Sequence, residues 1–122
     1  MINFEKRDKY LLITGEGERK GLIPVAEGSM KMYAAILDSK TRLVLIDYRK
    51  VNLDMTNTDV FNAIRIYESK LPLLMGVIVA AVFNNQNQAI GKTWIEVGNA
   101  RGFNFKLFSD FDEAEKWLLE QH

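Results

Sequence analysis

The 122 residues carry 16 basic and 16 acidic side chains, so no general attraction for nucleic acid or anionic membrane is expected. About half of the chain (48%) is apolar, and the length is that of one domain, 1–122, able to bury a core. There is no cysteine and a single histidine, His122, in last place. Disulfides and thiolate sites are therefore excluded, and any histidine base or two-histidine metal site would need a terminal residue that is usually frayed.

Four of the first eight residues are charged (Glu5, Lys6, Arg7 and Asp8), with no long apolar stretch behind them, and no signal peptide is expected. Residues 2–6 and 10–14 read as strands, a hairpin turning at Arg7-Asp8. Residues 15–21, Gly-Glu-Gly-Glu-Arg-Lys-Gly, resemble a dinucleotide fingerprint, with Asp47 where a ribose-binding acid could stand. Glu16 and Glu18 would repel a pyrophosphate, so the expectation is a flexible turn that uses positive φ at glycine. Residues 22–37 read as a helix whose first turns are disturbed by Pro24 and Gly28. Its clearest face is Met30, Tyr33, Ala34 and Leu37, three and four apart.

Residues 43–46, Leu-Val-Leu-Ile, form an apolar strand that ends at Asp47. A helix over 59–70 follows, with Val60, Ile64 and Tyr67 on one face and Phe61 adjoining it. Asn57 or Thr58 is its expected cap. Residues 74–83, rich in Val, Ile and Ala, are the expected central strand. The longest apolar run, 71–83, is interrupted by Pro72 and Gly76 and falls short of the about 20 residues that span a bilayer. No integral membrane segment is expected, and a cytoplasmic location follows. Residues 88–100 read as a helix with Ile90, Trp94 and Val97 inward. Gly91-Lys92-Thr93 looks like the tail of a phosphate-binding loop, but position 86, where that loop needs glycine, is Gln86. Residues 103–107 alternate Phe, Asn, Phe, Lys and Leu as a strand with one buried face. Asp110 then caps a last helix, with Glu113 placed to close a capping box.

The alternation of strands and helices predicts an α/β domain: a mostly parallel sheet of four or five strands with about four helices. In such sheets ligands meet the carboxyl ends of the strands. Those ends fall near Gly15, residues 47–58, residues 84–88 and Ser109-Asp110. The polar loop Asn84-Asn85-Gln86-Asn87-Gln88 reads as a turn and helix cap before it reads as a ligand site. The aromatic residues Phe83, Trp94, Phe103, Phe105, Phe108 and Trp117 match core periodicity, and a ligand pocket among them would need voids.

Several segments taken together resemble the SpoIIAA-like proteins, relatives of the STAS and SEC14-type domains. These are Arg42-Leu43-Val44-Leu45-Ile46-Asp47-Tyr48-Arg49, Ala89-Ile90-Gly91-Lys92, Asn99-Ala100-Arg101-Gly102-Phe103, and the ending Phe108-Ser109-Asp110-Phe111-Asp112-Glu113-Ala114-Glu115-Lys116-Trp117-Leu118. The resemblance implies a βα superhelix and a non-enzymatic regulator that binds a protein partner. The phosphorylatable Asp-Ser-Ser-Gly motif of the STAS relatives is missing: residues 55–58 are Met-Thr-Asn-Thr, in which Thr56 is the nearest positional match and Thr58 the next hydroxyl. The first expectation is accordingly a domain that binds a protein partner or itself, as a homodimer, and acts through Asp47, Thr56, Thr58 and Asp59. The alternative is a small carrier or sensor of an apolar or lipid-like ligand, with Phe83 and Trp94 as walls. Neither expectation calls for a catalytic residue, a metal or a cofactor.

Overall fold

The computed structural model describes residues 2–121, so His122 lies outside the described residues. Five strands form one sheet in the order β1 (Ile2–Lys6), β2 (Leu11–Lys20), β3 (Leu43–Asp54), β4 (Ile78–Phe83) and β5 (Asn104–Phe108). β1 runs antiparallel to β2 and every other pair is parallel. The helices are α1 (Leu22–Ser39), α2 (Asn57–Lys70), α3 (Gln88–Ala100) and α4 (Phe111–Leu119). This is the α/β architecture that the alternation predicts.

Side-chain alternation along the strands builds two apolar layers. Leu11, Ile13, Val44, Val79 and Phe105 meet α1, α2 and α3 on one face. Leu12, Leu43, Leu45, Ala80 and Val82 meet Ala114 and Leu118 of α4 on the other. β4 is buried on both faces, as expected of a central strand, but it begins at Ile78. Residues 74–76, expected to open it, belong instead to the 3-10 turn Pro72–Gly76, because Pro72 lacks an N–H for the sheet ladder and starts a tight turn.

Three further expectations are corrected. First, β3 does not end at Asp47 but runs seven residues further, paired with residues 16–20 of β2. Glu16–Lys20 is strand, not turn. Between Thr14↔Asp47 and Glu16↔Lys50 the register slips by one residue, so β3 carries a bulge at Tyr48-Arg49. Gly15 is required there by space: a Cβ would stand 2.7 Å from the Tyr48 ring. Only Gly17 and Gly21 take the positive φ expected of this stretch. β4 pairs with β3 only as far as Tyr48↔Phe83, so beyond that point β2 and β3 project as a two-stranded arm.

Second, α1 is helical from Leu22. Pro24 sits in the first turn, where the backbone N–H has no helical acceptor, and is tolerated. The face turned to the sheet carries Met32 and Ile36, not Met30, Ala34 and Leu37, which are exposed. Third, the cap of α2 is Thr56, one or two residues before the expected position. Its hydroxyl accepts the Asp59 N–H at 3.1 Å and the Asp59 carboxylate accepts the Thr56 N–H at 3.0 Å. At the last helix, Asp110 does act as the cap, through the Asp112 N–H at 3.0 Å.

Candidate functional site

Over the carboxyl ends of β3 and β4, between the sheet and α1–α3, the fold leaves an apolar cavity of about 70 Å³. Tyr48, Ala81 and Phe83 form its floor. Met32 and Val25 of α1, Val60, Ala63 and Tyr67 of α2, and Ile90 and Trp94 of α3 form its walls. The arm closes the remaining side with Arg19 and Leu53, followed by Met55. Phe83 and Trp94, eleven positions apart in sequence, are thus brought to one cavity. Their rings are 6.4 Å apart, and Trp94 also stacks on Phe105 at 4.0 Å.

The cavity lining is nearly free of charge. Burial pushes the Tyr48 hydroxyl up to about 12 and raises that of Tyr67, so both stay neutral at ordinary pH. The Tyr67 hydroxyl shares a 3.0 Å hydrogen bond with the hydroxyl of buried Ser29, which satisfies both groups inside the wall. Arg19 is the one charged residue of the lining, and its guanidinium donates to the Glu16 and Glu18 carbonyls. Such a space can accept a small apolar group. It is smaller than the cavity of about 150 Å³ that admits benzene elsewhere, so an extended lipid would have to lie mostly outside it.

The other four sequence-predicted residues separate into two places. Thr56, Thr58 and Asp59 lie together at the start of α2, with Thr56 and Thr58 exposed. Asp47 lies on the opposite side of the sheet, because alternation along β3 turns Val44 and Ile46 to α1–α3 but Leu45 and Asp47 to the α4 face. There it accepts two side-chain hydrogen bonds from Arg49, at 2.9 and 2.8 Å, and lines a polar groove with Asn3, Thr14, Glu16 and Lys50. Burial pushes its carboxyl up, but the hydrogen bonds and charge of Arg49 outweigh this and hold it below the ordinary range.

Two apolar residues beside the cavity were not singled out by sequence reasoning. Phe61, next to the wall residue Val60, is 48% exposed, and Ile23, next to the wall residue Pro24, is 71% exposed. The only signal for Phe61 is its place just off the apolar face of α2. Among the described residues no cluster of three or more acidic, histidine or cysteine side chains stands in metal-binding geometry. No helix among them is long and apolar enough to cross a membrane.

Neither a family model nor a curated protein sequence matches the chain. Solved structures do. An anti-sigma factor antagonist from Mycobacterium paratuberculosis superposes with a TM-score of 0.65 at 14% identity, over 98% of this chain and 93% of its own. An uncharacterised protein with a SpoIIAA-like fold from Shewanella loihica gives 0.58 at 19% identity, over 97% and 92%. A variant of RsbS from Moorella thermoacetica gives 0.55 at 19% identity, over 95% and 96%. At these identities the likeness concerns the fold, and it agrees with the strand order, the helix placement and the resemblance read from the sequence: the chain has a SpoIIAA-like fold.

Proposed function

We propose that this chain is a non-enzymatic regulatory domain that binds a protein partner through the start of α2. The carrying observation is the exposed aromatic ring of Phe61, one turn into a helix whose N-terminus is already fixed by the Thr56–Asp59 capping box. The cap orders the backbone, so a partner meets a preformed surface and little ordering entropy opposes binding. An aromatic anchor beside an apolar depression is the usual centre of such an interface. The hydroxyl of Thr58 and the N–H groups of Asn57 and Thr58, which have no acceptor within the helix, supply polar contacts at its rim. That one structural relative is an anti-sigma factor antagonist supports a partner-binding role, and Thr56, Thr58 and Asp59 belong to this surface. Asp47, held by Arg49 across the sheet, serves the polar groove instead.

A photo-crosslinking amino acid at position 61 is expected to capture a discrete partner in cells that make the protein. The same probe at exposed position 113, on α4, is not. Identical products from both positions would refute the choice of surface.

A second reading is favoured by the cavity itself. Phe83 and Trp94 face one apolar space, so the domain could instead hold a small apolar ligand there. Native mass spectrometry of freshly purified protein would then show a mass excess that disappears on denaturation. Trp94→Ala should weaken retention of that species more than Trp117→Ala, which changes an aromatic residue of the other layer. An unliganded mass across mild preparations counts against the carrier reading.

A further inference from the structure

We infer that α1 is a self-association surface, pairing antiparallel with α1 of a second copy and crossing at Ala34. The sequence gives this helix two apolar faces, and the fold uses only one. Ile23, Glu27, Met30, Ala34 and Leu37 follow a 4-3-4-3 spacing that keeps all five on one stripe. All five are exposed, Met30 at 45% and Leu37 at 46%, and four of them are apolar. The patch is wider than the helix. The Ile2 Cδ1 lies 3.2 Å from where a Cβ on Gly28 would stand, and the Lys6 ammonium donates to the Ser39 carbonyl, so β1 runs alongside α1. Phe4, midway between them and 41% exposed, is therefore level with Ala34.

Charge selects a second copy as the occupant. Lys31 and Asp38 flank the stripe on its β1 side, both exposed, and among the described residues neither is in an ion pair. In an antiparallel pair centred on Ala34, position 31 of one helix stands opposite position 37 of the other. Lys31 is then within one residue's rise, about 1.5 Å, of the level of Asp38 in the second copy. Two-fold symmetry forms this pair twice. The small side chain at the crossing point lets the backbones approach, while Met30 and Leu37 pack on either side of it. One helix face with Phe4 falls short of the about 800 Å² per partner of a standard interface. The dimer should accordingly be weak, with a Kd of roughly 10–100 μM.

The inference stands on α1 alone and is independent of the partner surface at α2. Sedimentation equilibrium of the full chain over a range of concentrations tests it. A monomer–dimer equilibrium in this range is expected. Ala34→Arg, at an exposed position that a helix tolerates, should give a monomer with an unchanged melting temperature at low concentration. Lys31→Asp and Asp38→Lys should each weaken dimerisation about fivefold or more, and the double charge exchange should restore it. A chain that stays monomeric to about 500 μM, well above the expected Kd, would overturn the inference. A dimer unaffected by Ala34→Arg, or a charge exchange that restores nothing, would do the same.

Discussion

Gly98→Ala is expected to destabilise the domain by about 2 kcal/mol, although alanine is the better helix former. On an exposed helix the substitution gains about 1 kcal/mol. Here the added Cβ would stand 2.6 Å from two atoms of the Phe105 ring. That ring has nowhere to go. Trp94 is stacked on it at 4.0 Å, Phe103 lies at 5.3 Å, and Tyr67 meets its edge at 6.5 Å. Its backbone is fixed as well, since the Asn99 side chain donates to the Phe105 carbonyl at 2.9 Å and accepts the Phe105 N–H at 2.8 Å. α3 and β5 are thus clamped by the residue that follows the glycine, and overpacking at such a site costs typically 1–3 kcal/mol or more. Against the helix gain, the balance corresponds to a Tm lower by about 6–8 °C for a domain of this size. Urea unfolding with an unchanged m-value would measure it. Gly76→Ala provides the contrast, because nothing stands within 4 Å of a Cβ there and φ is not positive, so a change within about 0.5 kcal/mol is expected. If Gly98→Ala stabilised the protein, α3 would have to sit further from the sheet than the structure shows.

What the sequence reveals and what it conceals divide along physical lines. Local pattern marks the four α-helices and the approximate place of each strand, because these elements bury one face or, as in β4, carry an unbroken apolar run. α3 in particular matches its expected bounds. Phe83 and Trp94 were legible as partners for the same reason, one at the end of a buried strand and one on the inner face of the next helix. The arm was not legible. Past Asp47 the inward residues of β3 are Tyr48 and Val51, three apart instead of two, because the bulge inserts one residue. The partner stretch 15–20 is polar and contains two glycines, so propensity argues against a strand, and only pairing with β3 makes it one. Without the arm, the sequence gives Arg19, Leu53 and Met55 no place at the cavity, and Asp47 reads as a neighbour of a helix cap that lies across the sheet. α1 failed in another way. Two apolar stripes have the same period, and periodicity alone cannot say which one meets the sheet.

Asn87→Ala should be the most damaging change at a polar position, costing about 3 kcal/mol. β4 stops at Phe83, and from there on β3 lacks its neighbour on that side. The polar loop takes over. Asn84 donates to the Arg49 carbonyl at 3.0 Å. Asn87, 1% exposed, donates to the Val51 carbonyl at 2.7 Å and accepts the Leu53 N–H at 3.2 Å. One amide thus presents the donor and acceptor that another residue of strand would have presented. Alanine would remove both, leaving the part-buried Leu53 N–H unpaired and the Val51 carbonyl with only the longer hydrogen bond, 3.3 Å, that Asn84 donates, and an unsatisfied group costs about 1–3 kcal/mol. Because Leu53 is also a cavity wall, faster hydrogen exchange at the amides of residues 51–54 should accompany the loss, ahead of any change in β1. Asn87→Asp separates the donor from the acceptor. The introduced carboxylate would be buried facing the Val51 carbonyl, so its folded-state pKa must rise above the unfolded value. Folding then takes up a proton, and the stability of this variant relative to wild type should recover as pH falls through that raised pKa. A deficit that did not change with pH would mean that the loop had moved away from β3 and that Asn87 does not hold the arm.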